Sequence, residues 1–346
     1  MPGVTGNSCD ENPMWVSVSS GLSGLGERDM DRWDKRLRGA AVLAGLSCLV
    51  VAISACGGSG TPSSGAGSSS GGNDIAAIDK VLAAAPVAPA SAIPAGSLMA
   101  EIKQRGTLRV GGTDTGPIFS IRNPVTGKLT GFDADLSMML AKYIIGKPQT
   151  GLTLTTVDTR EALLQNGTVD TVFATYTITQ PRATKVDFAG PYYSSGDAIL
   201  VKKDNTSITS IDNLNGKTVA TEGNSTAANA IKKFAPQANI TLFQDDASCV
   251  AAVRQGRADA YVLDQSILIG DATKVDDVKV VGAPFTSEPY GIGTPKGRPE
   301  MKAFVNAWLK QIEDSGLWGR LYQATIGTVV KGQTPAPPPI GGVPGT

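Results

Sequence analysis

The 346-residue sequence contains no histidine. Catalysis by Ser-His-Asp or Cys-His groups is therefore excluded, and so are metal sites built on imidazole. The four cysteines, Cys9, Cys48, Cys56 and Cys249, show neither Cys-x-x-Cys spacing nor a zinc pattern, so we expect no metal or other cofactor. Basic and acidic residues balance at 31 each, and basic runs interleaved with aromatic residues are missing. The charge pattern therefore gives no support to a nucleic-acid partner.

The sequence does contain enough apolar material for two domains with cores, since 41% of it is hydrophobic and 18% is charged. Its N-terminal part predicts an export signal. A basic cluster at 32–38 precedes the apolar run 39–53, and small residues lead to Cys56. This order is typical of a secretory signal, and the run is shorter than the roughly 20 residues of a membrane-spanning helix. We predict a signal peptide at 1–55, with Met30 as an alternative start.

The small residues before Cys56 resemble the bacterial lipobox, whose cysteine receives a diacylglycerol and becomes the mature N-terminus. This resemblance implies a lipoprotein on the outer face of the cytoplasmic membrane. The alternatives are an ordinary signal cut elsewhere and an uncleaved anchor. Gly/Ser-rich and then Ala/Pro-rich sequence predicts a flexible tether at 56–97, and Pro/Gly-rich sequence predicts a disordered tail at 329–346.

Between these segments, strand and helix patterns alternate, which favours an α/β fold with mostly parallel sheets. Strands are predicted at 107–113, 152–157, 171–175, 198–203, 217–221, 239–244, 260–264 and 278–282, and helices at 131–145, 160–166, 226–234, 247–255 and 300–315.

A helix end, a glycine and a short strand occur twice, in LLQNGTVDTVFATYTITQPR (163–182) and VRQGRADAYVLD (253–264). One copy ends in Arg182 and the other in Asp264. Ligands of open α/β sheets gather beyond the carboxyl ends of strands, so these two residues are expected on opposite walls of a cleft, holding the two charges of a zwitterion. The alternative is that the repeat arises by chance.

Six stretches carry a resemblance to a known family: GKLTGFDADL (127–136), 163–182, VDFAGPYY (186–193), DNLNGKTVA (212–220), GRADAYVLD (256–264) and EPYGIGTPKG (288–297). From about 98 to 327 the chain resembles the family 3 extracellular solute-binding proteins, which are amino-acid receptors of ABC importers. SIRNPVTGKLTGFD (120–133) and DASCVAA (246–252) are most similar to the actinobacterial glutamate/aspartate branch.

The resemblance implies a two-lobe periplasmic-binding-protein (Venus flytrap) fold with a two-strand hinge. Lobe 1 would comprise 98–194 and a return segment at 286–328, and lobe 2 would comprise 195–285. The hinge would lie near 194–198 and 284–290, with Gly196 and Gly291 as flexible points.

The resemblance also implies the site. Arg182 matches the arginine that grips the ligand α-carboxylate, because a guanidinium binds a carboxylate with two hydrogen bonds and keeps its charge. Thr175 and Thr177 match positions that offer hydroxyl and backbone groups, with ordinary strand residues as the alternative. Asp264 matches the acid that binds the α-ammonium.

Ser225 and Thr226 match the helix start that completes the carboxylate site. Arg160 matches a position that holds the side-chain carboxylate of acidic ligands, or it simply begins a surface helix. Arg122 is a further contributor or a loop charge. Phe119 packs over the ligand or in the core. The tyrosines at 192, 193 and 290 are expected to pack at the hinge.

The chain departs from the family pattern at three positions. Glu222 would stand near the ligand side chain, and Asp114 would be a second acid in the cleft, both of which act against an acidic ligand. Close relatives have a disulfide between the positions of Cys249 and Ala220. Because this chain has an alanine at the second position, Cys249 is expected to be a lone buried thiol.

The resemblance implies a monomeric, lipid-anchored receptor without enzymatic activity. It would bind a polar or acidic L-amino acid, with glutamate as the preferred ligand and glutamine as an alternative, and deliver it to ABC-transporter permease subunits. A sensor that signals to a membrane partner is the second hypothesis. A dehydratase-like enzyme using Glu222 and Asp114 is the third.

Overall fold

The computed structural model describes residues 72–346, and the predictions that fall on 1–71, including the signal peptide and Cys56, lie outside the described residues. The strands are β1 (Leu108–Gly112), β2 (Thr115–Gly116), β3 (Ser120–Arg122), β4 (Leu129–Thr130), β5 (Thr150–Leu154), β6 (Thr171–Val172), β7 (Asp187–Ser195), β8 (Asp197–Lys202), β9 (Thr218–Glu222), β10 (Asn239–Phe243), β11 (Ala260–Asp264), β12 (Val278–Val281) and β13 (Glu288–Thr294). The α-helices are α1 (Ile75–Ala84), α2 (Leu98–Arg105), α3 (Phe132–Ile145), α4 (Arg160–Gln165), α5 (Gln180–Ala183), α6 (Thr226–Phe234), α7 (Asp246–Arg254), α8 (Gln265–Lys274), α9 (Pro299–Asp314) and α10 (Leu317–Ala324). Short 3-10 turns occur at Ala90–Ala92, Ile211–Leu214 and Ile326–Thr328.

Two five-stranded mixed sheets form the cores of two lobes. The lobe 1 sheet has the order β5-β1-β6-β13-β7, and the lobe 2 sheet has the order β10-β9-β11-β8-β12. In each sheet the first three strands of this order are parallel to one another. The fourth strand, β13 or β8, runs antiparallel to both of its neighbours. A small sheet of β2, β3 and β4 flanks lobe 1. The predicted two-lobe α/β fold is confirmed.

The two copies of the repeat have the same geometry. Gly167 and Gly256 follow α4 and α7 with φ of +72° and +73°, a left-handed conformation that glycine adopts without steric cost. Each is followed by an aspartate whose carboxylate accepts the backbone N–H of a neighbouring strand at 2.8 Å, Asp170 from Arg109 and Asp259 from Thr218. The repeat therefore sets the register of one strand pair in each lobe.

The chain crosses from lobe 1 to lobe 2 between β7 and β8, and it returns before β13. A Cβ at Gly196 would lie 2.3 Å from the carbonyl oxygen of Thr286 in the returning segment, so glycine is required by the close approach of the two crossing segments. Gly291 was predicted as a flexible point, but it lies inside β13, where a Cβ would lie 2.6 Å from Ile178 and 2.8 Å from Phe188. Packing, rather than hinge flexibility, explains the glycine at 291.

The prediction of a tether over 56–97 is wrong for its described part from Ile75 onward. Asp74 caps the N-terminus of α1 by accepting the backbone N–H of Ala77 at 3.0 Å. Ile78 and Val81 of this helix are buried in the lobe 1 core, against α10 and α3. The apolar spacing of α1 supplies core contacts that outweigh its Ala/Pro-rich surroundings.

The prediction of a disordered tail at 329–346 is also wrong, because residues 331–346 lie against lobe 1. Ile340 packs on the main core, and Val343 packs on the cluster around Tyr176. The N–H of Gly341 donates to the carbonyl oxygen of Gly190 at 2.9 Å. Within residues 72–346, no helix combines the length and the apolar character needed to cross a membrane.

Candidate functional site

A cavity of about 100 Å³ lies between the two lobes, lined by residues from both. Most of the predicted ligand-binding residues line it, on elements distant in sequence. They are Phe119, Arg160, Thr175, Thr177 and Arg182 from lobe 1, and Glu222, Ser225, Thr226 and Asp264 from lobe 2.

Asp114 and Arg122 were predicted in the cleft, and the structure places both outside the cavity lining. They form an ion pair of 3.0 Å between Arg122 Nε and Asp114 Oδ2, and 42% of the Arg122 side chain is exposed. The neighbours Thr113 and Thr115 face the cavity instead. Asp114 lies at a bend between β1 and β2, where its carboxylate turns to Arg122.

Arg182 lies in α5, whose first turn is capped by the Thr179 hydroxyl. Arg182 is 8% exposed, and its guanidinium donates from Nη1 to the carbonyl oxygen of Thr177 at 2.9 Å and from Nη2 to that of Asn224 at 3.1 Å. Burial lowers the pKa of Arg182, although an arginine retains its charge. These bonds fix the guanidinium at the cavity wall.

Arg160, the first residue of α4, lies in the lobe 1 wall rather than on the surface. It is 4% exposed, its guanidinium lies 3.8 Å from the centre of the Tyr176 ring, and Nη1 donates to the carbonyl oxygen of Ala174 at 3.1 Å. Its buried Nε has no hydrogen-bond partner. Burial and the charge of Arg182 lower the pKa of Arg160 to about 9. The group remains a cation at neutral pH that can accept one more anionic or polar partner.

Thr175 has a φ of +44°, an unusual conformation for a β-branched residue. Its N–H donates to Asp133 Oδ2 at 2.7 Å, and the other oxygen of Asp133 accepts the Tyr192 hydroxyl at 2.7 Å. Burial raises the pKa of Asp133 to about 6 despite these bonds. Asp133 is not among the site residues expected from the sequence. The structure adds a role for it, since it holds the strained backbone of the cavity wall.

Asp264 ends β11 on the lobe 2 wall and is 5% exposed. Its Oδ1 is buried without a hydrogen-bond partner. Burial, together with the charges of Asp197 and Glu288, raises the pKa of Asp264 well above its ordinary value. An ammonium group in the cavity would satisfy this carboxyl group in charge and in hydrogen bonding.

The turn from β9 into α6 forms the rest of the lobe 2 wall. The Ser225 hydroxyl accepts the N–H of Ala228 at 3.1 Å and donates to the carbonyl oxygen of Glu222 at 2.7 Å, which fixes the start of α6. The N-terminus of α6 therefore points its partial positive charge at the cavity beside Thr226. Burial, and next the charge of Asp246, raises the pKa of Glu222 to about 8.

Sequence reasoning missed other cavity-lining residues, among them Asp245 and Asp246 at the start of α7. Asp245 caps that helix, and Asp246 accepts the Tyr261 hydroxyl at 2.9 Å. An acid pair at a helix start was the available signal, but the same pattern is common on solvated helices. Cys249, one turn further, is a buried free thiol as predicted, and burial raises its pKa.

Phe119 takes both predicted positions, since it lines the cavity and packs on the hinge tyrosines. Its ring centroid lies 5.7 Å from that of Tyr193 and 5.8 Å from that of Tyr290. Such edge-on contacts hold the ring rigidly at the cavity floor.

A solute-binding family matches this chain over residues 108–328, and its description is bacterial extracellular solute-binding proteins, family 3. The ABC transporter glutamine-binding protein GlnH of Bacillus subtilis is 37% identical over 217 residues, which are 62% of this chain and 78% of that protein. The glutamate-binding protein GluB of Corynebacterium glutamicum is 33% identical over 251 residues, 67% of this chain and 83% of that protein.

Solved structures show the same fold. An ancestral amino acid-binding protein, a precursor of cyclohexadienyl dehydratase, is 40% identical with a TM-score of 0.62, covering 66% of this chain and 100% of that one. An ancestral arginine-binding protein bound to glutamine is 35% identical with a TM-score of 0.60, covering 64% and 99%. The family match spans both lobes and both crossing segments, and the chain therefore belongs to family 3 of the bacterial extracellular solute-binding proteins.

Proposed function

We propose that this protein is a receptor for a polar L-amino acid that delivers its ligand to an ABC importer. The observation that carries the proposal is the pair of opposite buried charges, Arg182 on one lobe and Asp264 on the other, across one small cavity. The relatives named for glutamine and glutamate binding support an amino-acid ligand.

The α-carboxylate would bind Arg182 together with the N-terminus of α6 at Ser225 and Thr226, with hydroxyl or backbone groups of Thr175 and Thr177 alongside. Arginine and helix N–H donors are the groups best suited to a buried carboxylate. The α-ammonium would bind Asp264. Both ends of the ligand are then held by groups common to all amino acids.

The side chain of the ligand would extend toward Arg160 and Glu222. Arg160 offers charge-assisted donors and favours the carboxylate of glutamate, the ligand expected from the sequence. Glu222 carries a proton below a pKa of about 8 and can then donate to that carboxylate. A glutamine carboxamide is the alternative, since it offers an acceptor to Arg160 and a donor to Glu222.

Ligand binding requires no bond chemistry. A ligand that touches both lobes stabilises the closed form in proportion to its differential affinity for that form, and the closed form is what a permease would recognise.

Lipid attachment at Cys56 would hold the receptor at the outer face of the membrane. The variant Cys56→Ser, expressed in the native host, should move from the membrane fraction to the soluble fraction.

Calorimetric titration with each of the twenty amino acids tests the proposal. We expect glutamate or glutamine to bind most tightly and amino acids with apolar side chains to bind weakly. Absence of binding by all twenty would overturn the receptor proposal. Tight binding of an apolar amino acid would leave a receptor but overturn the assignment of Arg160 and Glu222.

A further inference from the structure

Three buried carboxyl groups meet where the chain crosses between the lobes. Asp197 begins β8, Glu288 begins β13, and Asp264 ends β11 as the register partner of Asp197. Their exposed fractions are 0%, 4% and 5%. Asp264 lines the cavity, whereas the other two are absent from its lining. The group that faces the ligand is thus in contact with a second layer of acids.

These carboxyl groups lack the partners that buried charges require. Both side-chain oxygens of Asp197, Oε2 of Glu288 and Oδ1 of Asp264 are buried without a hydrogen bond. Among the ion pairs of residues 72–346, none includes any of the three. The same part of the chain contains no cluster of acids arranged to hold a metal ion. Three adjacent buried carboxylates without a cation would be strongly unfavourable.

Within residues 72–346, Arg182 is the cation that faces the cluster, and it forms no ion pair with it. The polar and charged groups that face it are Arg182, Tyr193, Ser266, Thr286 and Tyr290. Burial, followed by the charge of Glu288, raises the pKa of Asp197 to about 7. Burial, followed by the charges of Asp197 and Glu288, raises the pKa of Asp264 well above its ordinary value. A proton held between these buried, unpartnered carboxyl groups relieves their mutual repulsion in the ligand-free protein.

We propose that the paired carboxyl groups of Asp197 and Asp264, with Glu288 beside them, exchange a bound proton for the ammonium group of the ligand. This inference rests on the proposed function, because it requires a ligand ammonium at Asp264. In the exchange a carboxyl O–H bond breaks, the proton passes to water or buffer, and the carboxylate left behind accepts N–H donors from the ammonium. One positive charge replaces another, so the net charge of the buried cluster is unchanged.

The exchange makes affinity depend on pH. If binding releases one proton, the association constant rises with pH by about tenfold per unit while the ligand-free cluster remains protonated. Affinity is therefore lost in acid, where the proton competes with the ammonium. Reciprocally, a bound ligand lowers the affinity of the cluster for protons.

Calorimetry of the purified protein with L-glutamine at pH 7 in phosphate and in Tris measures the exchange directly. These buffers differ in ionisation enthalpy, so a released proton makes the observed heat buffer-dependent. We expect release of about one proton for each ligand bound. Binding with identical heat in both buffers would overturn the exchange alone. If neither glutamine nor glutamate binds, the proposed function falls, and the exchange falls with it.

The variants Asp197→Asn and Glu288→Gln test the cluster, the first at a carboxyl group paired with Asp264 and the second at a neighbouring charge. Each substitution replaces a carboxyl group by an amide of the same size. The number of protons released per bound ligand should therefore fall below about half of the wild-type value, and affinity should depend less on pH. Asp276→Asn, at an exposed position, is the matched control and should behave as wild type. Circular dichroism establishes that each variant is folded, and either folded variant suffices. Unchanged proton release in a folded variant would exclude that residue from the cluster, and unchanged release in both would overturn the proposal.

Discussion

The guanidinium of Arg182 in lobe 1 donates from Nη2 to the backbone carbonyl oxygen of Asn224 in lobe 2, at 3.1 Å. The residue assigned to the ligand carboxylate is thus also an interlobe contact. Asn224 has a φ of +55°, and its side-chain amide donates to the carboxylate of Asp158 in lobe 1. Arg182, Asn224 and Asp158 therefore form a clasp that joins the lobes beside the cavity, which Arg182 also lines.

Arg182→Ala and Asp264→Ala should each weaken binding of every amino-acid ligand. Both hold groups that all amino acids share, and truncation of one member of a buried charged pair costs about 2–5 kcal/mol, roughly 30- to 5,000-fold in affinity. Isothermal titration with glutamate and with glutamine measures the loss. Arg122→Ala, which removes an exposed partner of Asp114, is the control and should leave both affinities within about twofold. Undiminished binding by Arg182→Ala would show that the ligand binds elsewhere.

Arg160→Ala should change the preference of the receptor between glutamate and glutamine. Its guanidinium is assigned to the ligand side chain, so affinity for glutamate should fall much more than affinity for glutamine.

Glu222→Gln should increase the affinity for glutamate at pH values above about 8, where the wild-type carboxyl group has lost its proton. Competition titrations with both ligands against both variants measure the ratio. Equal weakening of both ligands by Arg160→Ala would contradict the side-chain assignment and leave the receptor proposal intact.

Arg182 and Asp264 could be predicted on the cleft walls because the repeat places them at the ends of strands, whereas Ser225 was expected there from the family resemblance. Asp114 was misplaced because it lies at a bend between β1 and β2, where it pairs with Arg122 instead of facing the cavity. Local sequence contains too little information on the direction of that bend.

Helix α1 was missed for another reason. Its signal is present in the sequence, with an N-cap at Asp74 and apolar residues at Ile75, Ile78, Val81 and Leu82. Alanine- and proline-rich flanks made the region look like a linker. The partners that stabilise it, on α3 and α10, are distant in sequence, so the contacts that decide its fold are visible only in the structure. The unpartnered oxygens of Asp197 and Glu288 likewise emerge only once the two crossing segments are brought together.

Weakening the clasp should speed ligand release more than it slows ligand capture. Asn224→Gly keeps the left-handed backbone accessible and removes the amide that contacts Asp158, and Asp158→Ala removes the acceptor. A hydrogen bond to a charged group contributes about 1.5–3 kcal/mol at most, so the dissociation rate should rise by at most roughly 10- to 150-fold, with exposure favouring the lower end. Stopped-flow fluorescence measures both rates, and the double variant should be no faster than the single ones. A change confined to the association rate would contradict a clasp that acts in the closed form.

The pH dependence of stability should report the buried state of Glu222. Burial raises its folded-state pKa to about 8, whereas an unfolded glutamate titrates near about 4.3. Between these values the folded protein keeps a proton that the unfolded chain has lost. The contribution of Glu222 to stability is therefore largest below about pH 4.3 and declines as pH rises to about 8. Glu222→Gln does not titrate, so its melting temperature relative to wild type should increase from pH 5 to pH 8. Glu101→Gln, an exposed substitution on α2, should run parallel to wild type over this range. Parallel curves for Glu222→Gln as well would mean that the Glu222 carboxyl group is already ionised in the folded protein, and its assignment as a donor to the ligand carboxylate would fall.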